Sequence, residues 1–455
     1  MKYLILFLIS ILFKFITSSE IIYEFNRDFE LNKEMTDEQI YLKLAYNDLY
    51  THIKIGTPEK EMKVGINFKH KSLTLLGSNI KNRKVFDEKS SSTYKSITTA
   101  FVYESQMTGA NISEEYINLN TINNKEKINF ILVTDLDDES LENNPYEPIY
   151  FSGFLGLAIN SEFQNEYPDS LPIYLNENYK NKYNSAFAIK FNIKEPGNYK
   201  GKIIMNGYLH DYDENYHLEQ YKTTRIQSVT NFHDWCISID NAYYGQTSIS
   251  QNNYILFRIE IGIIIAPNDF MKYITDNYFS KYNDKCEYKK FKLMSDDYKY
   301  YVCNKDIDIT KFENISFELK EINFNFTLSY QNLFYEYNNK YYFLIATGSS
   351  TLHDFIIGSV LMKTYDFVFD KFKSNIGFYD LSIQVKTKTK NNLVIYIVVI
   401  SVLSVLIILL IIYLIWKYCN KPRISRKNEL DDDYNYITGS ITDDKKYKLT
   451  KFYLI

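Results

Sequence analysis

An apolar strand with a polar centre occurs twice in this 455-residue chain, and each copy is followed about 90 to 100 residues later by two hydrophobic residues and a glycine. The first set is Val64 to Phe68 with Phe154-Leu155-Gly156; the second is Leu256 to Glu260 with Ile356-Ile357-Gly358. A repeat on this scale predicts two related lobes. Strand-like runs of Ile, Val, Tyr, Phe and Thr fill residues 45 to 385, broken by Asn, Asp, Gly and Pro clusters, while long helical periodicity is scarce. The 43 Tyr and 31 Phe, against 15 Gly, also favour sheet over helical bundle. The expected lobes are residues 45–215 and 216–385.

The two ends carry apolar runs of different kinds. Residues 4 to 17 follow Lys2 and end in Thr17-Ser18-Ser19, the pattern of a secretory signal, so residues 1–19 are expected to be removed. An uncleaved anchor fits less well, because the run is short and contains Lys14. Leu393 to Trp416 holds no charged side chain, and at about 1.5 Å per residue it is long enough to cross a hydrocarbon core of about 30 Å. A transmembrane helix over 393–416 is therefore predicted. Lys417, Lys421, Arg423, Arg426 and Lys427 follow it, against Lys386, Lys388 and Lys390 before it, a bias expected of a cytoplasmic tail over 417–455. Signal and single span together imply type I topology, with residues 20 to about 390 lumenal or extracellular.

That compartment permits disulfides, and Cys286 and Cys303 are expected to pair across a short loop, leaving Cys236 as a buried thiol. Asn111, Asn314 and Asn325 head acceptor sequons for N-glycosylation. With 52 Lys and Arg against 56 Asp and Glu, the net charge of −4 gives no general attraction to nucleic acid. The six histidines, His70 among them, show no metal-ligand spacing, and Ser350 lacks the context of an activated nucleophile. No metal or other cofactor is expected.

Several short motifs occur in a telling order. They are Ile55-Gly56-Thr57-Pro58 leading to Val64; Phe86-Asp87 with Ser90-Ser91-Ser92-Thr93-Tyr94; Tyr103 with Met107-Thr108-Gly109; and Gly153 to Ala158. The second half adds Trp235 to Asp240, Ala266-Pro267, Phe355 to Gly358, Tyr365 through Val368-Phe369-Asp370, and Ile376-Gly377-Phe378. In order and spacing this series resembles the pepsin-like aspartic peptidases across nearly the whole ectodomain. The resemblance implies an all-β, bilobal pepsin-like (acid protease) ectodomain, here followed by one C-terminal transmembrane helix. It also implies a cleft between the lobes, a flap with its tip near Tyr103, and a disulfide in the C-terminal lobe that suits Cys286 and Cys303. Residues 20–44 then read as a short prosegment-like region.

Aspartic peptidases need two carboxylates about 3 Å apart that share one proton, one acting as base toward water and the other donating to the carbonyl. The resemblance places the first catalytic triplet at Asn67-Phe68-Lys69 and the second at Arg258-Ile259-Glu260, both with apolar flanks in register. An amide has no titratable proton and a guanidinium stays cationic, so Asn67 and Arg258 cannot share a proton. Lys69 and Glu260 replace glycines, and Phe68 and Ile259 replace hydroxyl-bearing residues. Glu260, beside Lys69 and Arg258, is expected to form a salt bridge. The expectation is a proteolytically inactive type I membrane glycoprotein that uses Tyr103, Lys69 and Glu260 to bind a peptide or protein, or serves as a scaffold. The alternative is a membrane-anchored aspartic-type endopeptidase with a non-standard active site.

Overall fold

The computed structural model describes residues 21–383, apart from 29, 82, 101–106, 120–124, 137–150, 160–166, 180–181, 193–198, 228–233, 294–295 and 349–353, and then 403 and 406–417. The chain divides into two units, Met1–Val385 and Lys386–Ile455. The first is mostly β, with a few short helices. The expected all-β character therefore holds as a predominance.

Strands bury alternate side chains where one face meets the core, as in Ile21–Arg27 and Leu49–Ile55, while short strands such as Leu73–Leu76 bury every residue. They assemble into two sheets. The 13-stranded sheet runs Tyr221–Arg225, Asn375–Tyr379, Phe367–Asp370, Phe187–Phe191, Gly201–Met205, Ile21–Arg27, Leu49–Ile55, Lys60–Asn67, Gly153–Gly156, Leu73–Leu76, Lys125–Leu136, Met107–Asn118 and Lys95–Ala100. The 10-stranded sheet runs Cys286–Leu293, Asp296–Asn304, Lys340–Gly348, Ile264–Ala266, Phe355–Ile357, Thr247–Phe257, Cys236–Tyr244, Ile315–Leu319 and Phe324–Leu328, with Phe334–Tyr337 joined to Lys340–Gly348. Three strands from the expected second lobe, residues 216–385, thus complete the sheet built by the residues before it.

The sequence repeat is a repeated arrangement of three strands. Lys60–Asn67 lies parallel to Gly153–Gly156, which lies antiparallel to Leu73–Leu76. Thr247–Phe257 lies parallel to Phe355–Ile357, which lies antiparallel to Ile264–Ala266. In both copies the chain leaves the first strand, crosses the inserted one and returns on its far side. The glycine of each motif passes under that crossing. A Cβ on Gly156 would meet the His70 and Ser72 carbonyl oxygens at 2.5 and 2.4 Å, and one on Gly358 would meet the Ile261 carbonyl oxygen at 1.8 Å, so no side chain fits at either point.

The segment before residue 48 is part of this framework. Ile21–Arg27 sits between Gly201–Met205 and Leu49–Ile55, hydrogen-bonded to both. The helix Asp37–Ala45 begins with a capping box between Thr36 and Gln39 and carries Asp37 and Glu38 in its first turn, where the helix dipole favours acids. Its Tyr41 ring stacks on Tyr300 with centroids 3.7 Å apart, and Asp37 is held by Lys289, Lys340 and Tyr342. Cys286 and Cys303 are disulfide-bonded and directly opposed on neighbouring strands. Cys236 is a free, buried thiol, and burial pushes it up to about 12.

In the second unit the described residues are helical at Leu403 and over 406–417, with apolar side chains such as Leu410 and Trp416 exposed. Among the described residues no helix is long and apolar enough to cross a membrane. The rest of the expected span 393–416 lies outside the described residues, as do the signal segment 1–19 and nearly all of the tail 417–455.

The candidate functional site

Each crossing places one of the two substituted triplets at its loop. Asn67 ends the strand Lys60–Asn67, and its side-chain oxygen turns back to accept the amide N–H groups of Lys69 at 2.5 Å and His70 at 3.1 Å. The Leu157 amide donates to the Asn67 carbonyl at 2.8 Å, closing the loop onto the inserted strand. Asn67 therefore organises its own loop, as short polar side chains do at turns. The Phe68 side chain points inward, 1% exposed, with its ring 5.0 Å from that of Phe369 and 6.1 Å from that of Phe187. Trp235 completes this cluster against Phe187 and Phe369 and donates its indole N–H to the Leu157 carbonyl at 2.7 Å.

At the second loop the Arg258 amide donates to the Ile357 carbonyl and the Ser359 amide to the Ile261 carbonyl. The Arg258 guanidinium donates to the Asp234 carboxylate at 2.5 Å and lies 3.6 Å from the Glu260 carboxylate. Glu260, 8% exposed, uses its other oxygen to accept the Phe68 amide at 3.1 Å. One cation thus neutralises two largely buried carboxylates, and one of these reaches across to the first loop. Ile259 is fully buried beside them.

Residues 45–47, at the start of the expected first lobe, also dock here. Asn47 donates its backbone amide to the Glu260 carbonyl at 2.8 Å and its side-chain amide to the Ile259 carbonyl at 2.7 Å, and Gly262 donates to the Ala45 carbonyl at 2.8 Å. Tyr46 and Ile261 form an antiparallel bridge. A Cβ at Gly262 would lie 1.9 Å from the Leu44 carbonyl oxygen, so this close approach requires glycine.

These positions fit the expectations unevenly. Glu260 pairs with Arg258, whereas Lys69 is exposed and makes no ion pair with it among the described residues. The His70 ring stacks on Phe154 with centroids 5.4 Å apart. Asn314 and Asn325 are exposed, and Asn111 is half-buried within the strand Met107–Asn118. Tyr103 and Ser350 lie outside the described residues. Sequence reasoning missed Asp234 and Asn47. The only signal for Asp234 was its place directly before Trp235, and Asn47 had none.

Chemically, the site holds an amide engaged with backbone donors and a guanidinium engaged with two acids. Neither can exchange a proton with a bound water near neutral pH. The mostly β unit with its two repeated crossings agrees with what sequence comparison finds. The chain belongs to the eukaryotic aspartyl protease family, whose family model matches residues 48–381. No curated protein matches the chain.

Proposed function

We propose that this protein is a type I membrane glycoprotein whose aspartyl-protease fold does not hydrolyse peptides and serves as a scaffold or protein-binding unit. The observation that carries the reading is the state of the two triplets: Asn67 hydrogen-bonded within its own loop, and Arg258 held between Asp234 and Glu260. Loss of a single member of a catalytic triad costs on the order of 10^4-fold in rate, and here neither position retains an acid. Membrane anchorage is supported by the uncharged run Leu393–Trp416. Glycosylation is supported by the exposure of Asn314 and Asn325, and an oxidising compartment by the Cys286–Cys303 disulfide.

Within this reading, a scaffold or surface-binding role fits better than peptide capture over the second loop. The Ile259 and Glu260 carbonyls and the Gly262 amide are already engaged by residues 45–47, so an extended peptide would have to displace part of the chain to use them. The test is incubation of the purified protein with a mixed peptide library from pH 3 to pH 7, with and without a transition-state-analogue inhibitor of aspartic peptidases. No inhibitor-sensitive cleavage is expected at any pH; its appearance would overturn the reading.

A further inference from the structure

Among the described residues, the strand Cys286–Leu293 is the outermost of the 10-stranded sheet, with Asp296–Asn304 as its one strand neighbour. Its two faces differ. On one, Phe291 packs against Tyr41 at 4.9 Å and Lys289 bonds Asp37, so the strand is fixed against the helix Asp37–Ala45. On the other, register sets Tyr288 opposite Tyr301, Lys290 opposite Lys299 and Lys292 opposite Asp297. Tyr288 is 44% exposed and stacks on Tyr301 at 4.6 Å, and Lys290, Lys292 and Lys299 are all exposed. None of these three lysines has a carboxylate within ion-pair distance among the described residues.

Lysine on an outer strand often serves only to discourage strand addition. That role needs no second lysine directly across the ladder, and like charges so placed destabilise a sheet. Lys290 faces Lys299, whose ammonium lies 5.8 Å from the Tyr288 ring centre, with Lys292 beside them. Asp297 is the one acid paired across this part of the ladder among the described residues, so the patch keeps a repulsion that an incoming anion relieves. The backbone edge next to it has no strand partner among the described residues, and the disulfide and the packed helix hold it rigid, which lowers the ordering cost of binding. We infer that this edge docks an extended acidic segment of a partner protein, which adds as a further strand and sets its carboxylates against Lys290, Lys292 and Lys299.

The inference concerns a surface other than the two loops. Peptide cleavage in the library assay would overturn the reading given above and leave this one standing. The test uses the full chain and two labelled peptides, one of alternating Glu and Val and one of alternating Lys and Val, followed by fluorescence anisotropy and backbone amide exchange. The acidic peptide is expected to bind, more weakly as salt rises, and to slow exchange along Cys286–Leu293. The K290E/K299E variant is expected to weaken binding by about tenfold or more. K290Q/K299Q, which removes the repulsion without reversing charge, is expected to melt no lower than the parent and also to bind less. The inference is overturned if the acidic peptide does not bind, if the Lys peptide binds equally well, if exchange slows only elsewhere, or if both variants bind like the parent.

Discussion

The backbone amide of Phe68 donates to the side chain of Glu260 at 3.1 Å, joining the two substituted loops across 192 positions of sequence. The residue that supplies this acceptor stands where the resemblance leads one to expect a glycine, and the residue that supplies the donor sends its ring into the aromatic cluster with Phe369 and Phe187. The two substitutions act together: the ring fixes the loop, and the fixed loop aims its N–H at the acid.

Removing that acceptor should be costly. Glu260→Ala leaves the Phe68 amide without its partner and Arg258 with Asp234 alone, and breaking a largely buried charged pair costs about 3 kcal/mol or somewhat more. Glu260→Gln keeps a neutral acceptor for the amide and should lose roughly half as much. Urea unfolding of the two variants beside the parent measures the difference, and equal losses would show that the bond to Phe68 contributes nothing.

The aromatic floor makes a second expectation. Phe68→Thr, which introduces a hydroxyl of the kind found in family triplets, deletes a fully buried ring packed against Phe369 and Phe187. Large-to-small changes at such sites cost about 3 to 5 kcal/mol. Thermal melting should therefore show the family-like residue to be strongly destabilising here. A neutral result would mean that the cluster closes over the gap.

What the sequence reveals of this arrangement follows from which contacts leave a residue signature. Each crossing was legible because a glycine is unavoidable where the inserted strand passes beneath the loop, so Gly156 and Gly358 mark it in both halves. The altered triplets were legible because Ile55-Gly56-Thr57-Pro58 before the first and Ala266-Pro267 after the second fix their positions, with apolar flanks in register. The partner of Arg258 was not, since Asp234 lies 24 positions away on a different segment and any nearby acid would have served as well in the sequence. The sequence puts both Lys69 and Arg258 beside Glu260 and does not say which of them pairs with it. In the structure Asn67 captures the Lys69 amide, and the lysine side chain lies exposed. The docking of residues 45–47 runs mainly through backbone groups, which no side-chain pattern records, and Gly262 is its one trace.

Asp48 gives a pH dependence of unusual sign. Burial pushes its carboxyl up to about 6, against the opposing pull of Arg27, Lys43 and Lys63. Between its ordinary value near 3.8 and about 6, the folded protein binds a proton there that the unfolded chain does not. The contribution of Asp48 therefore favours folding at the acid end of this window and is lost as pH rises through about 6, for a total of about 3 kcal/mol. Asp37, where burial is outweighed by hydrogen bonds from Lys289, Lys340 and Tyr342, is held below its ordinary value and acts in the opposite sense at lower pH. Unfolding free energies of the parent minus those of Asp48→Asn isolate the first effect. The difference should fall as pH rises from about 4 to about 6, and a flat difference would refute it.

Restoring acids to the two triplets should not restore catalysis. The N67D/R258D double variant loses the guanidinium that holds Asp234 and Glu260, which leaves those two buried acids without their cation and sets a further carboxylate beside them. Uncompensated buried charge of this kind costs about 3 to 5 kcal/mol, so the double variant should unfold at markedly lower urea than the parent. Phe68 and Ile259 would still fill the positions beneath the loops, and Asn47 would still hold the Ile259 and Glu260 carbonyls. The expected outcome is a folded but weakened protein with no inhibitor-sensitive cleavage from pH 3 to pH 7. If cleavage appears with these two changes alone, the surrounding substitutions are not the barrier, and only the two missing carboxylates separate this chain from an active peptidase.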